Sequence, residues 1–191
     1  MKKNRKNRMK DSKISYVLLI ILLIVVFFIA DYIITEIKKK EQMLSSKTIK
    51  KEFTVSGRWR NKLMGNIFTY SYKGKLYKSY TQNYKILKNG EKYLGKISII
   101  DPKVSEVDLT KPIVSSSNKY FIVYGKIKKR NTTSNPNSVT FTYQFDINKY
   151  ERTVFVEDAS KYFLESNYNI LVLKENPNIT YIENNVVKLN Y

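Results

Sequence analysis

The pattern of apolar and polar residues changes character once along the chain, near residue 46. Residues 14–30 form an uninterrupted run of seventeen residues without a charge or a proline. At 1.5 Å per residue, a helix over this run spans about 26 Å, and its continuation to Ile34 gives about 32 Å, against about 30 Å for the hydrocarbon core of a bilayer. Residues 14–34 are therefore predicted to form one transmembrane helix, and the chain after Ser46 is too polar to cross again.

The charges on either side of this run predict its orientation. Residues 1–13 carry seven Lys and Arg against one acidic residue, whereas residues 31–46 carry three lysines balanced by three acidic residues. Because cytoplasmic flanks of membrane helices are enriched in Lys and Arg, the basic N-terminal tail is predicted to be cytoplasmic. The chain is thus predicted to be a single-pass protein of the cell membrane, with its C-terminal domain on the outer (periplasmic or extracellular) side.

A basic start followed by an apolar run is also typical of a cleaved signal peptide. The best small-x-small candidate is Phe28-Ile29-Ala30, in which Phe28 is too large, and the chain contains no cysteine that a lipoprotein would need. The run is therefore predicted to remain as an uncleaved signal anchor. Residues 35–46 are good helix formers without glycine or proline, which predicts a short helical stalk.

After Lys47 apolar and polar residues alternate, which is the period of a half-buried strand. Two alternating runs come first, Phe53-Val55-Gly57-Trp59 and then Phe68-Tyr70-Tyr72. Lys73-Gly74-Lys75 is typical of a hairpin turn, and residues 76–81 then predict the returning strand. Residues 97–100 predict a further strand, closed by Asp101-Pro102. Trp59 is predicted to lie in the core or at a barrel rim.

The same pattern recurs in the second half of the β-rich region, which predicts an internal repeat. Phe121-x-Val123-x-Gly125 repeats Phe53-x-Val55-x-Gly57 at an offset of 68. At an offset of 73, the second copy repeats the hairpin positions Phe68, Tyr70, Tyr72 and Tyr77 and the strand positions Ile97 and Ile99. The polar insert Lys128–Ser138 accounts for the change of offset. Chance similarity between strands is the alternative explanation.

The predicted fold class is mainly β with one N-terminal transmembrane α-helix, and with two related small β-barrel or sandwich modules in tandem. Module 1 is predicted at residues 47–112 and module 2 at residues 113–191, joined near Ser115-Ser116-Ser117, each with about five short strands. A short helix is predicted from Asp158, its N-cap, to Ser166, with residues 162–164 facing inward. Whether the modules share one sheet is left open.

The order of these elements resembles a bacterial domain of unknown function that occurs in membrane-anchored envelope proteins. The resemblance covers most of the first module and is carried by Gly57, Tyr70-x-Tyr72, Gly74-Lys75-x-Tyr77, Gly95 and Asp101-Pro102. In the second module Ile147-Asn148 replaces Gly74-Lys75. The resemblance implies an envelope β domain, in tandem copies, beside a transmembrane helix, and it implies no catalytic residues.

The chain contains neither cysteine nor histidine, which excludes thiol chemistry, histidine-based nucleophile pairs and zinc sites built on either residue. The carboxylates that remain for acid/base or hard-cation chemistry are Asp101, Glu106, Asp108, Glu157 and Asp158. Solvated loops and a helix N-terminus explain the same residues without a function. We predict no catalytic residue, cofactor or metal, and no enzyme; a carboxylate-dependent hydrolase is the less favoured alternative.

The net charge of +19 is concentrated in residues 47–112, which carry fifteen Lys and Arg against five acidic residues. Compositional drift in an AT-rich genome explains such a charge without any partner. If the charge is functional, we predict contacts with anionic lipid or an acidic envelope protein through Arg58, Arg60, Lys62, Lys73, Lys75 and Lys78. The predicted function is a non-enzymatic binding or assembly subunit. A cytoplasm-facing nucleic-acid binder is the alternative, since sixteen tyrosines are interleaved with lysines.

Overall fold

The computed structural model describes residues 3–60, 64–82, 87–115 and 118–189. The chain divides into two compact units, Met1–Ser46 and Lys47–Tyr191. The first unit is the helix α1, Lys3–Ser45, which continues through the predicted stalk. Each described large apolar side chain from Leu18 to Ile37 is at least 47% exposed. Within the described chain, α1 alone contains a segment, Leu18–Ser45, that is long and apolar enough to cross a membrane.

The second unit is built from strands, as the alternating pattern predicted. In chain order the described strands are β1 Thr48–Arg60, β2 Met64–Tyr72, β3 Lys75–Gln82, β4 Lys92–Ser98, β5 Ser105–Ser115, β6 Tyr120–Asn131, β7 Asn137–Phe145, β8 Asn148–Val156, β9 Asn167–Leu173, β10 Thr180–Ile182 and β11 Val187–Leu189. They form two sheets, ordered β11-β5-β4-β1-β2-β3 and β10-β9-β6-β7-β8. The parallel strand β11 joins β5, and every other pairing is antiparallel among the described strands.

Apart from the added strand β11, the two sheets have the same strand order, in agreement with the prediction of two β modules. β1 pairs with β2 and β4, and β6 pairs in the same way with β7 and β9. β5 then follows β4 as β10 follows β9. β3 also contacts β5, which curls the first sheet. Because β5 runs on to Ser115, the first sheet extends past residue 112. Residues 116–117 of the predicted junction lie outside the described residues.

Main-chain hydrogen bonds identify equivalent residues in the two modules. Ile99 N donates to Lys47 O at 3.0 Å, and Lys174 N donates to Lys119 O at the same distance. Lys119 is therefore equivalent to Lys47, an offset of 72 between β1 and β6. Lys174 is equivalent to Ile99, an offset of 75 between β4 and β9. The predicted offsets of 68 and 73 for these two strands are wrong.

The hairpin offset of 73 is confirmed by a pair of equivalent tyrosines. The hydroxyl of Tyr70 donates to the carbonyl of Pro102 at 2.5 Å, and the hydroxyl of Tyr143 donates to the carbonyl of Pro177 at 2.5 Å. Each ring also stacks on a tyrosine of the next strand, in the pairs Tyr70–Tyr77 and Tyr143–Tyr150. Both modules thus tie the first hairpin to the turn that follows their fourth strand.

The sequence pattern predicted the wrong offsets because the positions of a large residue and of the glycine beneath it are reversed between the modules. In module 1 the ring of Phe53 on β1 lies over Gly95 on β4, where a Cβ atom would collide with the ring. In module 2 the large residue is Ile170 on β9, and it lies over Gly125 on β6. By the hydrogen-bonded register, Phe53 is equivalent to Gly125 and Gly95 is equivalent to Ile170.

Each module has its own buried core, and an apolar side chain of the second module is buried in the core of the first. The first core contains Phe53, Val55, Phe68, Tyr70, Leu87, Tyr93, Ile97 and Leu109. The second contains Ile127, Val139, Phe141, Tyr143, Val154, Val156, Ala159, Tyr162, Ile170, Val172 and Ile182. Phe155 of β8 is buried in the first core, although its strand belongs to the second sheet. Together with β11, it joins the modules into one compact unit.

The predicted helix at 158–166 is instead a single 3₁₀ turn, Ala159–Lys161. Asp158 caps it as predicted, since its Oδ1 accepts from Ser160 N at 2.9 Å. Tyr162 is buried, but Phe163 and Leu164 are 65% and 52% exposed, so the predicted inward orientation is wrong for both. The turn ends at Tyr162, whose backbone is extended at φ −105° and ψ 114°. Glu165, at φ 60°, then lies in the left-handed region.

The β2–β3 turn forms as predicted. Lys73 at φ 48° and Gly74 at φ 74° supply the two positive φ angles that a type I′ hairpin turn requires. In module 2, β6 continues to Asn131 and β7 begins at Asn137, so most of the predicted insert Lys128–Ser138 lengthens the hairpin instead of forming a loop. β4 ends at Ser98, two residues before the predicted end of that strand.

Trp59 is half-buried, in agreement with a rim position. It lies opposite Gly65 of β2, and its ring occupies the space where a Cβ atom of that glycine would be. Its Nε1 donates to the carbonyl of Thr81 at 3.4 Å. The indole therefore spans the end of the β1-β2-β3 meander.

Candidate functional site: a cationic cleft between the modules

The predicted basic contact residues do not form one patch. Lys73 and Lys75 are exposed and lie together at the β2–β3 turn. Lys78 is also exposed, but it pairs with Thr69 and projects from the face of the sheet opposite to the buried core. Two further predicted residues are outside the described part of the chain, Arg60 by its side chain and Lys62 entirely.

Arg58 belongs to β1 and lies beside the end of β2 that is remote from the β2–β3 turn. It pairs with Asn66, six residues from Tyr72 at the turn, which separates Arg58 from the turn by about 20 Å. Its Nη2 donates to the carbonyl of Leu87 at 3.0 Å. This hydrogen bond holds the guanidinium against residues 87–91, the segment that precedes β4.

Each of the carboxylates weighed for catalysis is already engaged in an ion pair or a local hydrogen bond. Three of them form the ion pairs Lys96–Glu106, Lys111–Asp108 and Lys111–Glu157, at 3.1, 3.6 and 3.3 Å. The other two accept local backbone hydrogen bonds, Asp101 from Lys103 and Asp158 from Ser160. The hydrogen bonds from Ser160 hold the pKa of Asp158 below its ordinary value. Over the described ranges, no three carboxylates converge into a group that would hold a metal ion.

A cationic cleft lies where loops of the two modules meet. One loop is residues 87–91, and the other is residues 174–179, between β9 and β10. The cleft has a volume of about 500 Å³ and is lined by Arg58, Lys88, Asn89, Asn176 and Asn178. Two cations and three amides thus face one space, and none of these lining residues is acidic.

The first of these loops is fixed to β1. Val55 N donates to the carbonyl of Glu91, and Gly90 N donates to the carbonyl of Val55, both at 2.8 Å. Gly90 adopts φ 90°, which an L side chain rarely tolerates, and so it allows the Asn89-Gly90 turn. These bonds adjoin the β-bulge between Val55 and Gly57, where β1 changes register against β2. The loop therefore presents Lys88 and Asn89 from a defined backbone.

The second loop is fixed by its own asparagine. Asn176 Oδ1 accepts from Asn178 N at 3.2 Å, and Ile179 N donates to Asn176 O at 2.8 Å. Ile179 is buried, and its Cδ1 lies 3.7 Å from where a Cβ atom of Gly90 would be. The two loops are therefore in contact beneath the cleft.

A buried ion pair lies next to the loop of the first module. Glu91 is fully buried; its Oε1 accepts from Nη2 of Arg152, and its Oε2 accepts from the hydroxyl of Tyr93 at 2.8 Å. Arg152 belongs to β8, so this pair links the two modules. Burial raises the pKa of Glu91 above its ordinary value, and Arg152 and Tyr93 oppose that effect.

A larger cleft of about 690 Å³ on the first sheet has a different electrostatic character. Its lining includes Lys50, Lys96 and Lys111, but also Glu106 and Asp108. The ion pairs Lys96–Glu106 and Lys111–Asp108 neutralise most of its charge. For an anionic ligand, the smaller cleft between the modules is therefore the better candidate.

Of the cleft residues, only Arg58 was predicted from the sequence as a contact residue. Lys88 and the three asparagines were not predicted, because the loops that carry them belong to different modules and no spacing connects them. Glu91 and Arg152 were not predicted either, since they look like ordinary surface charges in the sequence. No protein-family model, curated protein or solved structure matches this chain significantly. The resemblance to an envelope domain of unknown function stays a prediction.

Proposed function

We propose that this chain is a single-pass membrane protein that presents its β unit on the outer side of the cell membrane as a non-enzymatic binding or assembly subunit. The partner that fits the surface is anionic: lipid head groups or an acidic envelope component. The observation that carries the proposal is the cleft between the modules, where Arg58 and Lys88 face three amide side chains without a carboxylate in the lining.

The membrane assignment is supported by the surface of α1. Its apolar side chains from Leu18 to Ile37 are exposed all around the helix, over about 30 Å of its length. Exposed apolar surface of this size is unfavourable in water and is covered in a bilayer. The excess of Lys and Arg in residues 1–13 over residues 31–46 supports a cytoplasmic N-terminus.

Binding without catalysis is supported by how the carboxylates are used. The five weighed for acid/base chemistry serve ion pairs, a turn and a cap, so each already stabilises local structure. Lys73 and Lys75 at the β2–β3 turn add a second group of exposed cations. Basic residues close to an anionic membrane surface contribute about 1 kcal/mol each to binding.

The topology is testable with a single introduced cysteine, since the chain has none of its own. Lys78→Cys lies on an exposed strand position, and we expect a membrane-impermeant maleimide to label it in intact spheroplasts. Asn4→Cys, in the basic tail, is the matched control and should react only after permeabilisation. The reverse pattern would place the β unit in the cytoplasm and favour the nucleic-acid alternative.

The binding proposal is testable with the full chain reconstituted in neutral lipid nanodiscs. We expect it to associate with anionic vesicles more strongly than with neutral vesicles. The association should weaken between 0.1 M and 1 M salt, because the Debye length falls from about 10 Å to about 3 Å. The variant K73Q/K75Q removes the charges of the hairpin lysines and leaves the cleft unchanged, so the association that it retains measures the contribution of the cleft. Equal association with both vesicle types would contradict the proposal.

A further inference from the structure

We propose that the cleft between the modules is a binding site for the phosphate ester of a polyhydroxylated compound, such as a polyol phosphate. The inference rests on the proposed function in one respect, that the β unit lies on the outer side of the membrane and meets the ligand there. It goes further because it names the class of the ligand and infers that both modules bind it.

The charged part of the ligand follows from the two cations. An arginine guanidinium offers a planar fork of donors that matches phosphate oxygens, and a lysine adds a compact positive charge. Arg58 is held in position by its hydrogen bond to the carbonyl of Leu87, and Lys88 follows that residue directly. The site is thus arranged for an oxyanion with several acceptor atoms.

The uncharged part follows from the amides. Asn89, Asn176 and Asn178 line the same cleft, and an amide side chain carries both donors and an acceptor. Hydroxyl groups, which also both donate and accept, match that set. A volume of about 500 Å³ lies within the range of small-molecule sites, about 300–1,000 Å³, and exceeds what a lone phosphate fills.

The ligand would also bridge the modules. Arg58, Lys88 and Asn89 come from the first module, while Asn176 and Asn178 come from the loop between β9 and β10 of the second. A ligand that binds only when both loops are in place stabilises the joined unit. Binding should therefore raise the melting temperature of the β unit in proportion to the logarithm of ligand concentration.

The test uses the full chain in neutral nanodiscs and calorimetric titration with glycerol 3-phosphate, inorganic phosphate and glycerol. We expect glycerol 3-phosphate to bind more tightly than inorganic phosphate, and glycerol not to bind. K88Q should weaken binding about tenfold, since it removes a charge-assisted hydrogen bond. K103Q removes the same charge from an exposed position beyond the other end of β4 and should leave the affinity unchanged. N178A should weaken binding from the side of the second module, with melting curves verifying that each variant is folded.

Two sources offer this chemistry, and nanodiscs that contain phosphatidylglycerol distinguish them. A K88Q-sensitive shift in the melting temperature in these nanodiscs supports the site and assigns it to a lipid head group. The same shift only with glycerol 3-phosphate supports the site and assigns it to a soluble ester. Equal weakening by K88Q and K103Q, or no binding of either phosphate source, overturns the inference. If salt-sensitive association with anionic vesicles persists in that case, the proposed function stands without this site.

Discussion

Glu91 and Arg152 form an ion pair that is buried on both sides, with the carboxylate side chain 0% and the guanidinium side chain 5% exposed. Glu91 is held by the first module and Arg152 by β8 of the second. This ion pair therefore forms only while the two modules are joined. Removal of one partner alone would leave the other group in an apolar environment.

We expect R152M to lower the free energy of unfolding by about 3–5 kcal/mol at neutral pH, since it leaves the carboxyl group of Glu91 buried without the guanidinium that pairs with it. The double variant E91M/R152M should be near neutral or up to about 4 kcal/mol more stable, because both desolvation penalties disappear. Urea unfolding of the full chain in detergent, followed by the fluorescence of Trp59, measures both. A double variant as unstable as R152M would show that the unpaired carboxyl group is not the cause of the destabilisation.

The same pair predicts a pH dependence. The pKa of Glu91 is raised by burial above its ordinary value of 4.5. A carboxyl group whose folded pKa is raised contributes stability that is fully present below the unfolded pKa and is lost as pH rises through the folded pKa. We expect the stability of the wild type to fall more than that of E91M/R152M as the pH rises from 4 upward. Parallel stability profiles for the two proteins would contradict the raised pKa.

The contact between Phe53 and Gly95 predicts a steric defect. We expect G95A to destabilise the β unit by about 1–3 kcal/mol, because the added Cβ collides with the Phe53 ring and the Glu106 carbonyl. G57A is the matched control; a Cβ there would meet only Ile67 Cδ1 at 3.9 Å and should change stability little. Thermal melts of the three proteins measure the difference. Equal effects of the two substitutions would mean that Gly95 is not sterically required.

The tyrosines that donate to Pro102 and Pro177 predict two equal and independent effects. We expect Y70F and Y143F each to lower stability by about 1 kcal/mol, the net contribution of one hydrogen bond. Because the two bonds lie in different cores, the double variant should lose the sum of the two single effects within about 0.5 kcal/mol. Denaturant titrations supply the comparison. A strong departure from additivity would show that the two cores are energetically coupled.

Alkaline pH should unfold the β unit through its buried tyrosines. Burial raises the pKa of six of them, Tyr70, Tyr93, Tyr120, Tyr143, Tyr162 and Tyr181, and that of Tyr162 to about 12. Since these pKa values are raised on folding, the stability they contribute is fully present below about pH 10 and is lost as the pH rises towards 12.

We expect the absorbance of tyrosinate to rise in two phases, the second coinciding with loss of circular dichroism from the sheets. Y162F should make that second phase smaller by one tyrosine without abolishing it. A single phase with intact circular dichroism would contradict the burial of these side chains.

The sequence predicted those parts of the fold that depend on neighbouring residues. The alternation around Phe68 and Tyr70 and the turn at Gly74 indicated the first hairpin and its repeat, because strand faces and type I′ turns are local properties. The offset between β1 and β6 was predicted wrongly because Phe53 and Gly125 are equivalent although they differ in size. Only the partner strand, with Gly95 or Ile170, shows why both are acceptable.

The candidate site was largely beyond sequence reasoning for the same reason. Arg58 was selected as one basic residue among many, and nothing local distinguishes Lys88 or Asn178 from other polar loop residues. Their grouping depends on how the loops before β4 and after β9 meet in the folded unit. The short strand β11 was missed as well, since three residues are too few for a periodic pattern.

The return of β11 to β5 has a consequence for how the protein is made. Residues 187–189 pair with residues 113–115 of the first sheet, yet they are synthesised after the whole second module. As the chain emerges from its N-terminal part onward, the first module can fold early, but its β5 edge stays uncovered until the second module is complete. An open strand edge is a template for pairing with other chains. During synthesis the nascent β unit therefore passes through an interval in which it is prone to aggregate, and that interval closes only when β11 docks.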